Sequence, residues 1–592
     1  MKNRSEIEEK YKWDLTKFCK NDDDFNERLK KVEEQISHFK KYENKLSDEK
    51  TLLECLEFET NLSKEFSLVA IYAQLKLSGD NADRRSNEMT EKCSLVASKF
   101  STATAFIDVE ISKFKLEKLK NLQKNPKFKN YQRFFEAIIR DKKHTLSKKE
   151  ELLISHLGEF LGGFSDNFDK FSDVDLKFED IEDENGEKYP FDQAKYSVYV
   201  ESKDRTLRKN AFKQMNGTFG KYINFLASNY ISDVKEDCVF AKLRKHKSAL
   251  SASIFNEKAS EEVYNLLIKK VRENVDLLQR YFAIKQKMLK LDKFAIYDTF
   301  APVAEGLDKK YSYEEAIELI KQAVAVLGEE YVSLVDRAVE ERWIDVFPNK
   351  NKDSGAFSTG TYGATPVVLT NFVGNLESVF TLAHELGHAM HTYFSDKNQP
   401  IQTSNYVIFV AEVASNVNEM LLLEFLMAKA KTKKEKIFFY DHFLKQMRSS
   451  IFRQTMFAEF EAFAHAEYEK GTPLTAELLC ETYEDLNNFY HGKNVEQISE
   501  MRFEWARIPH FFSSFYVYKY ATGLICAIKI SKALLSEKDF SKKYLKFLSS
   551  GCSKNPISLL KIADCDLTDE KTFDEAFETC QKFVENWENE LK

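Results

Sequence analysis

The stretch Thr381-Leu382-Ala383-His384-Glu385-Leu386-Gly387-His388-Ala389-Met390-His391 puts three histidines and a glutamate into one apolar run. Val379, Phe380, Leu382, Ala383, Leu386, Ala389 and Met390 recur at helical spacing, and Asn375 stands where that helix would take its N-cap. On such a helix His384 and His388 lie one turn apart on the same face.

Two imidazoles so placed can both reach one zinc ion, and Glu385 on the adjacent edge can meet a water bound to it. This is the H-E-x-x-H arrangement of zinc peptidases. With 11 histidines in 592 residues, chance supplies on the order of 0.02 matches in a chain of this make-up. The bland alternative is a core helix with incidental histidines, and it must give each buried imidazole a partner. His391 shares the face but cannot complete the site. Three residues stacked from 384 to 391 span roughly 10 Å, too far for one tetrahedral shell. A pattern with Gly at 391 and His at 394 also fails, because the chain has His391 and Phe394. His391 is read as a structural neighbour or a residue facing substrate.

The third ligand is sought downstream, in a second apolar helix that begins near Asn405 and runs through Leu421-Leu422-Leu423. Glu412, Asn416 and Glu419 fall on one of its faces. A carboxylate among apolar neighbours needs a cation. Zinc held by His384, His388 and Glu412 leaves a fourth position for water, and Asn416 and Glu419 are candidates to hold the ligand imidazoles. The alternative is a helix whose carboxylates pair with Lys or Arg.

Composition narrows the class. The 18 Gly and 9 Pro are few for this length and favour long helices. Eighty-eight basic and 95 acidic residues give a net charge of −7, with no basic excess to suggest nucleic acid as partner. The start has no apolar secretory core, and no window approaches a membrane span. The nine cysteines are scattered without C-x-x-C pairs, which fits reduced thiols in a cytoplasm.

Ser147-Lys148-Lys149-Glu150 reads as a capping box opening a helix. Around 175–200 the texture changes: Leu176 to Ile181 alternates, Asn185-Gly186 follows, then Tyr196-Ser197-Val198-Tyr199-Val200, together a hairpin signal. A soft boundary is set here, with a helical region at 1–190 and a catalytic region at 191–592, within one continuous body. After a glycine-rich stretch at 354–363, residues 366–372 read as a strand that could pair with an extended peptide. Downstream, Phe515, Tyr516, Tyr518 and Tyr520 crowd six residues after Pro509-His510. Tyr516 and Tyr520 would share a helix face, and an aromatic core stripe is the competing reading.

Phe380–His388, Phe409–Ser415 and the block Arg507–Gly523 resemble oligoendopeptidase F, of the thimet-oligopeptidase-like zinc metallopeptidases. Weaker echoes are Tyr11–Leu15, Phe452–Phe460 and Phe547–Gly551, so the likeness runs nearly end to end. The resemblance implies a mainly α fold, a large two-lobed helical zincin body around a deep substrate channel, with a small β-sheet near the active-site helix. It implies one Zn2+ per chain, and a His and Tyr residues of the C-terminal part that face substrate. These are His510, Tyr516 and Tyr520, with Tyr518 as an alternative to Tyr516.

The reading is a zinc-dependent endopeptidase that cuts internal bonds of short oligopeptides. Zinc would activate a water, Glu385 would act as general base, and Tyr516 and His510 would support the oxyanion. A zinc carboxypeptidase or dipeptidase could use the same metal core. A non-catalytic helical peptide-binding protein is the other alternative, against which an intact Glu385 argues. No membrane partner is expected, and the oligomeric state is left open.

Overall fold

The structure is a computed structural model that describes residues 1–157, 161–303 and 309–592. The chain divides into two compact units that interleave along the sequence. Unit 1 takes Met1–Lys143, Asp308–Phe425 and Ile530–Cys565, and unit 2 takes His144–Leu307, Leu426–Lys529 and Asp566–Lys592.

Both units are helical with small sheets, as the scarcity of Gly and Pro leads one to expect. In unit 1 the long helix α1 (Glu49–Gly79) packs against Asp22–Ile36 and Arg84–Ser112. Asp48 caps α1, its carboxylate accepting from Thr51 N–H. The core between these helices holds Phe25, Leu52, Val69 and Leu75 and continues to Val367 and Leu369.

Those last two residues belong to a three-stranded sheet of order β4-β6-β5. Its strands are β4 (Ile344–Asp345), β5 (Phe357–Thr359) and β6 (Val367–Leu369). β6 pairs parallel with β4 and antiparallel with β5. The segment read as a free strand at 366–372 is therefore the middle strand, with both edges used. β5 and β4 are the two edge strands. The echo at Tyr11–Leu15 has a structural basis here, since Val346 N–H donates to Tyr11 O and Asp14 N–H to Arg342 O.

The hairpin signal is realised only in part, by β1 (Ile181–Glu182) and β2 (Lys188–Tyr189) around Asn185-Gly186. Tyr196–Val200, read as its return strand, instead lies in the helix Gln193–Val200. Asp192 caps that helix by accepting from Lys195 N–H, and Tyr196 and Val200, four apart, bury on one face. A cap plus an i, i+4 pair outweighs β-branched composition in so short a run. In unit 2, β3 (Phe294–Ala295) pairs parallel with β7 (Val495–Glu496). The capping box at 147–150 forms as read, Ser147 N–H donating to Glu150 and Glu150 N–H to Ser147 Oγ. No helix among the described residues is long and apolar enough to cross a membrane.

Candidate metal centre and active site

The His384 helix, α2, runs Leu376–Asn398, and Asn375 caps it by accepting from Ser378 N–H at 2.9 Å. The second apolar helix, α3, runs Ile408–Lys429. Gly387 lets the two backbones touch: a methyl group there would lie 2.7 Å from both Ala414 O and Ser415 Cα. Asn418 then clamps the pair, its Nδ2 donating to Ala383 O at 3.0 Å while its Oδ1 accepts from Tyr331 OH at 2.9 Å.

This close crossing brings Glu412 against both imidazoles. Its Oε2 is 3.5 Å from His384 Nε2 and 3.8 Å from His388 Nε2. One ligand atom from each of His384, His388 and Glu412 falls within 4.8 Å of the others. Donors on a tetrahedral ion with bonds of about 2.0–2.2 Å are separated by roughly 3.3–3.6 Å, so the donor set fits a divalent ion after small adjustments. Ser415 Oγ steadies the carboxylate by donating to Glu412 Oε2 at 3.1 Å. Glu419 Oε1 lies 2.6 Å from His384 Nδ1, which leaves Nε2 of that ring to face Glu412.

The electrostatics also ask for a cation. Burial alone would depress the His384 imidazolium, but the Glu419 hydrogen bond and the charges of Glu419, Glu385 and Glu412 outweigh it and hold its pKa at about 9. His388 takes the opposite course, pushed down to about 3 by burial and by the His384 charge. A metal ion would relieve both, replacing the proton on one ring and using the neutral form of the other.

Glu385 is 7% exposed, and its Oε2 has no hydrogen-bond partner among the described residues. Burial pushes its carboxyl up to about 7, against the opposing pull of His384. It lines a cavity of about 520 Å³ together with His384, Glu419, Thr381, Gly355 and Ala356. His391 is 1% exposed and stacks on Tyr406 with ring centroids 3.7 Å apart, which is the structural reading of that residue.

His510, Tyr516 and Tyr520 form a group in unit 2. The Tyr516 and Tyr520 rings are 5.5 Å apart, and Tyr520 OH lies 3.5 Å from His510 Nε2. Tyr516 does not share a helix face with Tyr520, because the helix here, α4 (Tyr518–Ser536), begins two residues later. A turn brings the rings together instead, with Phe515 in the left-handed region at φ 60°. The turn hangs from a buried carboxyl: Phe515 N–H donates to Glu461 Oε1 at 2.9 Å, and the Phe515 ring lies 4.6 Å from His465. Tyr518 is 1% exposed and packs edge-on against Tyr264.

Sequence reading had no place for Asn418, Ser415 or Glu461. Gly387 carried a signal, since glycine inside a helix costs about 1 kcal/mol relative to alanine and calls for a packing reason.

Comparison with known proteins agrees with this geometry. The model of peptidase family M3 matches residues 198–579, and that of oligopeptidase F matches residues 110–178. Oligopeptidase PepF of Bacillus subtilis is 37% identical over 98% of this chain and 87% of its own length. The crystal structure of a peptidase from Chlamydophila abortus superposes with a TM-score of 0.94, at 31% identity and over 100% of both chains. That of oligoendopeptidase-F from Enterococcus faecium does so with a TM-score of 0.75, at 29% identity, over 96% of this chain and 99% of that one. With its two histidines and a glutamate gathered on crossing helices, the chain belongs to peptidase family M3, among the oligoendopeptidase F metallopeptidases.

Proposed function

We propose that this metalloendopeptidase binds one Zn2+ per chain through His384 Nε2, His388 Nε2 and Glu412, and hydrolyses internal bonds of short oligopeptides. The observation that carries the reading is the convergence of those three donors beside a buried carboxylate, Glu385, whose Oε2 has no partner among the described residues. The oligopeptide class is supported by the names of its relatives, an oligopeptidase and an oligoendopeptidase.

Bound zinc would supply a Lewis acid that polarises a carbonyl and acidifies water. Glu385 takes the proton of the attacking water and returns it to the departing amine. Glu419 fixes the tautomer and angle of His384. The edge of β5 offers backbone groups to an extended peptide. His510, Tyr516 and Tyr520 are carried forward as donors to substrate and developing oxyanion. Tyr516 is preferred to Tyr518 because Tyr518 is buried against Tyr264.

The split at 190/191 is retained as a division of labour, since the proposed metal ligands, Glu385 and the His510, Tyr516 and Tyr520 group all lie in 191–592 and the two family models match on either side of it. Nine cysteines, eight of them buried and none joined in a disulfide among the described residues, favour a reducing cytoplasm. The test is cleavage of internally quenched peptides blocked at both ends, with chelator and with zinc added back. An endopeptidase cuts them, whereas a carboxypeptidase or dipeptidase does not. Zinc-independent cleavage would refute the metal assignment.

A further inference from the structure

Unit 1 contains a second cavity, of about 560 Å³, along the helix α1. Phe66, Ile71 and Phe134 give it apolar walls, and the loop Gly360–Tyr362 closes one side. Two acceptors in it are unmatched. Glu59 is partly buried and has no hydrogen bond or ion pair among the described residues. Burial and the charge of Asp108 both push its carboxyl up, and no cation among the described residues opposes them. Gln402, which also lines the cavity, has a buried Oε1 without a partner among the described residues. Lys64 also lines the cavity, but its Nζ lies over the Tyr362 ring at 5.3 Å rather than on Glu59. A partly buried carboxylate and a buried amide oxygen, both unpaired beside apolar walls, are complementary to a cationic N–H donor on a hydrocarbon stem.

The two cavities are joined by β5. Gly355 and Ala356, before the strand, line the cavity that holds His384 and Glu385, and Gly360–Tyr362, after it, line the second. The strand Phe357–Thr359 covers roughly 10 Å at about 3.3 Å per residue. A peptide extended along its free edge would thus reach the second cavity a few residues from the bond being cut.

We propose that this second cavity is a specificity subsite for a cationic group of the peptide, a Lys or Arg side chain or the terminal ammonium, recognised by Glu59 and Gln402. The proposal rests on the peptidase reading above. Its test uses quenched peptides carrying either lysine or norleucine at each of positions two to five from the cut, on both sides, with the amino terminus acetylated or free. At one position lysine should raise kcat/KM roughly tenfold or more over norleucine. The ratio should collapse toward one in Glu59→Gln, shrink in Gln402→Ala, and invert in favour of norleucine in Glu59→Lys. A preference confined to free-amine peptides would identify the terminal ammonium as the occupant. If no position distinguishes lysine from norleucine in the parent enzyme, or if Glu59→Gln keeps the ratio, the subsite is refuted. If the parent cuts no peptide, the functional reading fails instead. The subsite is then judged by fluorescence anisotropy of the labelled lysine and norleucine peptides, and equal affinity overturns it.

Discussion

Glu385 and Glu419 are carboxylates beside the same imidazole, and their surroundings give them different work. Glu419 is engaged by His384 Nδ1 at 2.6 Å, whereas Glu385 has an oxygen with no partner among the described residues. Glu385→Gln keeps shape and volume but removes the basic oxygen. Zinc content should stay near one per chain while turnover falls roughly 10²- to 10⁴-fold; near-normal turnover in this variant would end the mechanism proposed here. Glu419→Gln should behave in the reverse manner, weakening zinc binding about 10- to 100-fold through loss of the charge that orients His384. Metal titration against a competing chelator, run beside steady-state rates, separates the two cases. Glu412→Ala removes one of the three proposed ligands and should leave little zinc after dialysis; full occupancy would show that another residue completes the site.

At the scale of the helices, the close crossing of α2 and α3 depends on Gly387. Alanine is the better helix former by about 1 kcal/mol, but its methyl would sit 2.7 Å from backbone atoms of the neighbouring helix, which cannot swing aside as a side chain would. Overpacking of this kind costs roughly 1–3 kcal/mol, so Gly387→Ala should lower both Tm and zinc affinity; a raised Tm would show that the crossing is looser than described. This scale also shows what could be read from sequence. The helical spacing, the Asn375 cap and the i, i+4 histidines were legible because each is encoded within one turn or two. Glu412 and Glu419 were legible because they fall on one face of a second apolar helix. Asn418 was not, because its partners, Ala383 O and Tyr331 OH, come from elements 35 and 87 residues away. The edge role of β5 was also hidden: pairing order depends on β4, and two or three residues of strand leave almost no periodic signal.

Across the whole molecule, the interleaving of the two units could not be read from texture, since it is set by contacts among segments hundreds of residues apart. It does make stability a property of remote pairings, and unit 2 carries buried carboxyls of opposite behaviour. Glu504 is fully buried and accepts from Arg453 and Arg507, each at 2.8 Å, and these charges overcome burial to hold it well below the usual carboxylate range. Its contribution is present above the ordinary pKa of about 4.3 and fades as the pH falls through its lowered value. Between pH 5 and 8 it therefore adds no slope. Asp233 is pushed up to about 8 by burial and by the charges of Asp237 and Glu236. From about pH 3.9, the ordinary value, up to about 8, the folded chain holds a proton on Asp233 that the unfolded chain has released. A folded state that binds more protons loses stability as the pH rises. Glu461 and Glu236 are raised as well and carry the same sign, so only the difference between variant and parent isolates Asp233. The Tm of Asp233→Asn minus that of the parent should be small near pH 4, grow steadily from pH 5 to 8, and level off above it. Thermal melts at unit pH intervals measure this, and a difference that stayed constant across the range would show that Asp233 ionises normally in the folded chain.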